Sequence, residues 1–182
     1  MSFITKAEFS SIANAKAGYK SLSTIVNESR QFSKSSAKTS IFLSHSHTDK
    51  DVVQQAVTFF RTLGIAIYVD WMDETMPEKT SGITATNIKS KIILNDKFIL
   101  LATNSAVASK WCNWEVGIGD TFKHKENKLA ILPLADNNST WTGNEYLQIY
   151  PRIEKKYSFS NDDFELIFPN GTKIELKTWL NS

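Results

Sequence analysis

Residues 40–70 read SIFLSHSHTDKDVVQQAVTFFRTLGIAIYVD, and their texture changes three times. Ser40–Ser44 is a short apolar run with no alternation, the pattern of a strand buried on both faces. From Asp49 onward the apolar positions Val52, Val53, Ala56, Phe59, Phe60 and Leu63 fall at helical spacing, and Gly64 supplies a stop. Residues 65–70 return to a continuous apolar run. A buried strand, a helix and a second buried strand in about 30 residues is the unit of a parallel sheet.

The unit repeats along the chain. A polar loop, WMDETMPEKTSG, leads to a helix marked by Ile83, Ile88, Ile92 and Ile93. KFILLAT (97–103) reads as a third strand, SKWCNWEVGIGD (109–120) opens a third helix, and KLAILPLA (128–135) reads as a fourth strand. This order predicts a central parallel sheet covered by helices on both faces. The rhythm ends after residue 136, where FELIF and TKIEL flank Pro169-Asn170-Gly171 and predict a hairpin. Before residue 40, Thr5 and Glu8 have capping-box spacing. Phe9, Ile12 and Ala13, then Leu22, Ile25, Val26 and Ser29, recur helically, and residues 33–40 (SKSSAKTS) read as a linker. The expected division is a helical extension and linker over 1–37, a core over 38–135, and a C-terminal extension over 136–182 that completes the domain.

Composition excludes several function classes. The 182 residues carry 21 basic and 19 acidic side chains, a net charge of +2, which gives no electrostatic reason to expect nucleic acid or an anionic membrane as partner. Cys112 is the single cysteine, so neither an internal disulfide nor a cysteine-based zinc site is expected. The opening residues lack the apolar core of a signal peptide, and no apolar run approaches the roughly 18 residues of a membrane span. A cytoplasmic, soluble protein is expected. The two common glycine-rich phosphate cradles are missing, as is the Gly-x-Ser-x-Gly nucleophile elbow. A phosphoacceptor receiver would need an acidic pair after the first strand and an aspartate after the third, where this chain has His45 and Thr103-Asn104.

In such sheets ligands bind beyond the carboxyl ends of the strands. Those ends carry Ser44-His45-Ser46-His47-Thr48-Asp49, Asp70-Trp71 and Thr103-Asn104-Ser105. Asp49 is most simply the N-cap of the first helix in this region. His45 and His47 alternate along an extended stretch and so point to opposite sides, and with no further ligand type nearby no metal site is expected. At about 100° per residue, Trp114, Ile118, Trp111, Phe122, Gly119, Cys112 and Val116 share one arc of the third helix, with Trp114 and Cys112 read as core. Glu115 falls inside that apolar arc. A carboxylate there is either paired structurally or held in a dry site for chemistry.

These residues resemble a known family. SIFLSHSHTDKD is similar to the first strand and box of Toll/interleukin-1 receptor (TIR) domains, F-[IL]-S-[YH]-x-x-x-D. GIAIYVDW resembles their second strand, and the loop through MPEKTSG their second-strand loop, although Pro77 and Gly82 here stand apart instead of forming the family's Pro-Gly pair. SKWCNWE matches the S-x-W-C-x-x-E segment of TIR domains that cleave NAD. The resemblance implies a flavodoxin-like α/β fold with Glu115 as the catalytic glutamate. It places Ser44, His45, Asp70, Trp71 and Trp111 around NAD, which is substrate and not cofactor. The implied activity is cleavage of the nicotinamide–ribose bond followed by cyclisation of ADP-ribose to a signal, as in small bacterial TIR proteins of antiphage defence. It also implies self-association through TIR–TIR contacts and a phage-derived activator. A non-catalytic TIR scaffold, or a secreted effector acting on host TIR signalling, are the alternatives.

Overall fold

In the computed structural model, residues 3–18, 24, 39–73, 76, 81–136, 141, 143–156 and 164–182 are described. The predicted alternation is present: β1 (Ser40–Ser44), α2 (Lys50–Thr62), β2 (Ala66–Tyr68), α3 (Gly82–Leu94), β3 (Lys97–Ala102), a short α4 (Asn104–Ala108), α5 (Lys110–Lys123) and β4 (Leu129–Pro133). An N-terminal helix, α1 (Lys6–Ala17), precedes them. It starts at the anticipated capping box, with Thr5 and Glu8 each accepting from the other's backbone N–H. Apart from Thr24, the second helical run at Leu22–Ser29 lies outside the described residues, as do residues 33–38 of the linker.

Seven strands form one sheet in the order β2-β1-β3-β4-β5-β6-β7. β2, β1, β3, β4 and β5 (Arg152–Lys155) are parallel, whereas β6 (Phe164–Ile167) and β7 (Lys173–Glu175) run antiparallel. The predicted hairpin is therefore an extension of the central sheet. Its turn closes with Gly171 N–H donating to the Phe168 carbonyl, and Gly171 takes a φ of 85° that suits glycine alone. Two elements here differ from the sequence reading. β5 carries a single buried apolar residue, Ile153, among charged neighbours, too weak a pattern to mark a strand. The second hairpin strand stops at Glu175, and Leu176–Leu180 forms helix α6 because Leu176, Trp179 and Leu180 share one buried helical face.

Alternation along the strands divides the core. Ile41, Leu43, Ile99, Leu101 and Leu132 face α1, α2 and α6, meeting Phe9, Phe59, Phe60 and Trp179. Phe42, Phe98, Leu100 and Ile131 face α3 and α5, meeting Ile88, Ile92, Cys112 and Val116. Two features seat α5 on this second face. At Gly119 a Cβ would lie 3.0 Å from the Phe98 ring and 3.2 Å from Leu129, so the absence of a side chain lets the helix come close to β3 and β4. At its end the buried Lys123 donates to the carbonyls of Ile93 and Asn95 (2.9 and 2.5 Å), tying α5 to the end of α3.

Candidate active site

The seating of α5 decides where Glu115 goes. The buried arc of the helix is Cys112, Glu115, Val116, Gly119 and Lys123. The apolar arc read from sequence is wider than this and rotated from it: Trp114 is 39% exposed and Phe122 44%, so the core assignment of Trp114 is corrected. Glu115 lies at the border between the buried half and this exposed aromatic shoulder. Cys112 is the small buried hydrophobe expected, its thiol pushed up to about 11 by burial.

Glu115 closes the floor of a pocket of about 290 Å³ at the carboxyl ends of β1 and β2. His45, His47, Asp70, Trp71, Asp73, Ser109 and Trp111 are among the other lining residues. Of the six residues proposed from sequence, five line this pocket. Ser44 does not: it is buried one layer behind, where its Oγ donates to Glu115 Oε2 across 2.5 Å. Burial raises the Glu115 carboxyl to about 8; the Ser44 hydrogen bond opposes that shift, and the Asp70 charge adds to it.

The rim is built by local chain chemistry. After β1 the chain turns at Ser46, whose Oγ accepts from Thr48 N–H, and enters a short 3₁₀ turn over His47–Asp49. This turn corrects the expectation that His45 and His47 point to opposite sides. Both imidazoles converge on Asp70, with Nε2–carboxylate distances of 3.4 and 3.8 Å, and their rings lie 6.0 Å apart. Asp70 is fixed in turn by accepting from Trp71 N–H at 2.8 Å. Trp111, half-buried, stands edge-to-face on Trp114 with centroids 5.1 Å apart.

Two buried polar atoms of pocket residues, His45 Nε2 and Trp71 Nε1, have no hydrogen-bond partner among the described residues. Such atoms are costly unless a ligand or water meets them. Asp73, which sequence reasoning passed over, accepts from Tyr68 Oη at 2.9 Å and pairs with Lys91 at 2.8 Å, bracing the opposite wall. Its signal, an acid three residues beyond Asp70 in a polar loop, was too common to single out. Most of the loop between Asp73 and Ser81, with Pro77, lies outside the described residues.

Other strand-end groups serve the scaffold. Asp49 occupies the cap position of α2, but its side chain caps nothing. The N-cap position is as expected, while the side chain accepts from Thr103 Oγ1 at 2.5 Å and pairs with Lys6 at 3.5 Å. Thr103 caps α4 and Asn104 donates to Asp136.

A mixed, mainly parallel α/β sheet thus carries, at its strand ends, a pocket with a buried carboxylic acid and a tryptophan one turn before it, the place where open α/β proteins bind ligands. The family described as "TIR domain" matches residues 41–164, about two thirds of the sequence, and the chain belongs to it. Two relatives carry provisional names. One, 3' cyclic ADP-D-ribose synthase ThsB' of Bacillus cereus (strain MSX-D12), is 29% identical over 150 residues, 77% of this chain and 74% of that protein. The other, cyclic ADP-D-ribose synthase TIR2 of Cytobacillus dafuensis, is 28% identical over 79 residues, 42% of this chain and 21% of that protein. Among the described residues, no helix is long and apolar enough to cross a membrane.

Proposed function

We propose that this pocket cleaves the nicotinamide–ribose bond of NAD and closes the ADP-ribose into a cyclic nucleotide signal, in a TIR enzyme of antiphage immunity. The observation that carries the reading is Glu115: a buried carboxyl at the pocket floor, raised to about 8 and held by Ser44. The names of the two relatives point the same way.

One carboxylate suffices for this chemistry. Glycosidases usually need a second, because a sugar alkoxide must be protonated to leave. The nicotinamide of NAD is already a cationic pyridinium, and it departs neutral when the bond breaks and its electron pair returns to the ring nitrogen. Entry of that cation also favours the ionised form of Glu115. The carboxylate then stabilises the positive charge that develops on the ribose, a preorganised interaction worth roughly 3–4 kcal/mol. Trp111 covers a ring and excludes water, so that a nucleophile of the same molecule, an adenine nitrogen or a ribose hydroxyl, attacks first. Its tethering gives it a high effective concentration. When a hydroxyl attacks, its proton passes to Glu115, whose affinity for protons suits that role.

His45, Asp70 and Trp71 would contact the rest of the substrate, while Ser44 positions the acid. A pocket of about 290 Å³ encloses about half of a dinucleotide and leaves the remainder at the surface. Self-association through TIR contacts, with a phage-derived trigger, would complete it. The exposed apolar residues Ile83, Leu94 and Trp114 are suited to such contacts.

The test is chromatography of NAD incubated with the full chain at high concentration, with and without extract of phage-infected cells. Release of nicotinamide together with a product isobaric with cyclic ADP-ribose supports a cyclase, and linear ADP-ribose makes the protein a hydrolase. NAD untouched in every condition favours a TIR scaffold.

A further inference from the structure

The convergence on Asp70 brings His47, which the NAD reading does not use, beside two residues of the proposed substrate pocket, His45 and Asp70. Each offers one ligand atom, and the three atoms all lie within 4.8 Å of one another. From this juxtaposition we infer that the pocket mouth is a binding site for a zinc-class divalent transition-metal ion, held by His45 Nε2, His47 Nε2 and the Asp70 carboxylate.

Two of the spacings come near those the ion requires. Zinc–nitrogen and zinc–oxygen bonds of about 2.0–2.1 Å put tetrahedral ligand atoms about 3.3–3.4 Å apart. His45 Nε2 stands 3.4 Å from Asp70 Oδ1, and His47 Nε2 stands 3.8 Å from Asp70 Oδ2. These two distances run to different carboxylate oxygens and the three ligand atoms spread over as much as 4.8 Å, so the His47 side chain, 68% exposed, turns inward to complete the set.

The supporting hydrogen bonds match as well. His45 Nδ1 lies 2.9 Å from the Leu43 carbonyl, an acceptor, so this nitrogen carries the proton. In the neutral ring Nε2 is then a bare lone pair directed at a carboxylate oxygen, buried and with no hydrogen-bond partner among the described residues. An acceptor nitrogen 3.4 Å from a carboxylate oxygen is a pair that a bound cation bridges. Carbonyl-oriented imidazole is the arrangement by which proteins prepare histidine for metal, and the Trp71 N–H bond to Asp70 Oδ1 orients the second ligand in the same way. Two imidazoles and one carboxylate select zinc and its first-row neighbours over magnesium or calcium, which prefer all-oxygen shells. Three protein ligands leave a fourth position for water or a ligand group in the pocket.

The inference holds whether or not the pocket turns over NAD, and its test reads binding alone. Tag-free full chain, stripped with chelator, is titrated with Zn²⁺ against a chromogenic chelator, and with Co²⁺ followed by visible absorption. We expect one equivalent bound, intense absorption of a four-coordinate Co²⁺ complex, and no competition from Mg²⁺. His47→Ala, a surface change that leaves the fold intact, weakens Zn²⁺ binding at least tenfold, as does Asp70→Asn, while His124→Ala leaves it unchanged. Absence of a bound equivalent in the wild type, or equal affinity in His47→Ala, overturns the site.

Discussion

Ser44 and Glu115, 71 residues apart in sequence, meet across 2.5 Å between the end of β1 and the middle of α5. The contact joins two of the four sequence signatures that resembled a TIR domain and makes them a single device. One supplies the acid; the other holds it.

Replacing Ser44 by Ala removes the one interaction that lowers the Glu115 carboxyl while leaving its burial intact. If ionised Glu115 acts on NAD, kcat/KM rises with pH through a limb near 8 in the wild type. Ser44→Ala moves that limb to higher pH and lowers kcat/KM at pH 7, by about tenfold for each pH unit of displacement. Coincident pH profiles for the two proteins would show that Ser44 does not tune the acid.

Stability carries the same signature with a defined sign. Glu115 titrates near 8 in the folded chain against an ordinary 4.5. Between those values the folded state holds the proton that the unfolded chain releases, so this residue makes stability fall as pH rises, by at most about 1.4 kcal/mol per pH unit. Glu115→Gln lacks the titration. Its advantage over wild type in urea unfolding grows from pH 4.5 to 8 and then levels off. A difference independent of pH speaks against a raised carboxyl.

The N-terminal helix is part of the folded unit. Phe9 is fully buried, with ring centroids 5.5 Å from Phe59 and 6.5 Å from Phe164. Phe9→Ala should cost roughly 3–5 kcal/mol in chemical unfolding, and removal of residues 1–37 should cost at least as much. A truncated chain as stable as the full one would make α1 a dispensable appendage.

The parts of the fold legible in sequence are those where one physical signal dominates. Strands buried on both faces are continuous apolar runs, and Ser40–Ser44, Lys97–Ala102 and Leu129–Pro133 lie within a residue or two of their expected ends. Arg152–Lys155 escaped because its charged residues pair locally, Arg152 with Glu154 at 2.8 Å, and only Ile153 enters the core. Glu115 stood out as a carboxylate on an apolar arc, yet the arc could not say which half is buried. That depends on the close approach at Gly119, a long-range contact. The convergence of His45 and His47 was hidden for a similar reason: a 3₁₀ turn set by Ser46 replaced the extended stretch that alternation assumes.

In the proposed reaction Glu115 performs the chemistry. Wild type and Glu115→Gln, at equal concentration and with folding checked by thermal unfolding, should be compared for nicotinamide release from NAD under activating conditions. The Gln variant is expected to fold and to turn over NAD roughly 100- to 1,000-fold more slowly. Equal NAD consumption by both proteins would contradict it and reduce Glu115 to a buried structural acid.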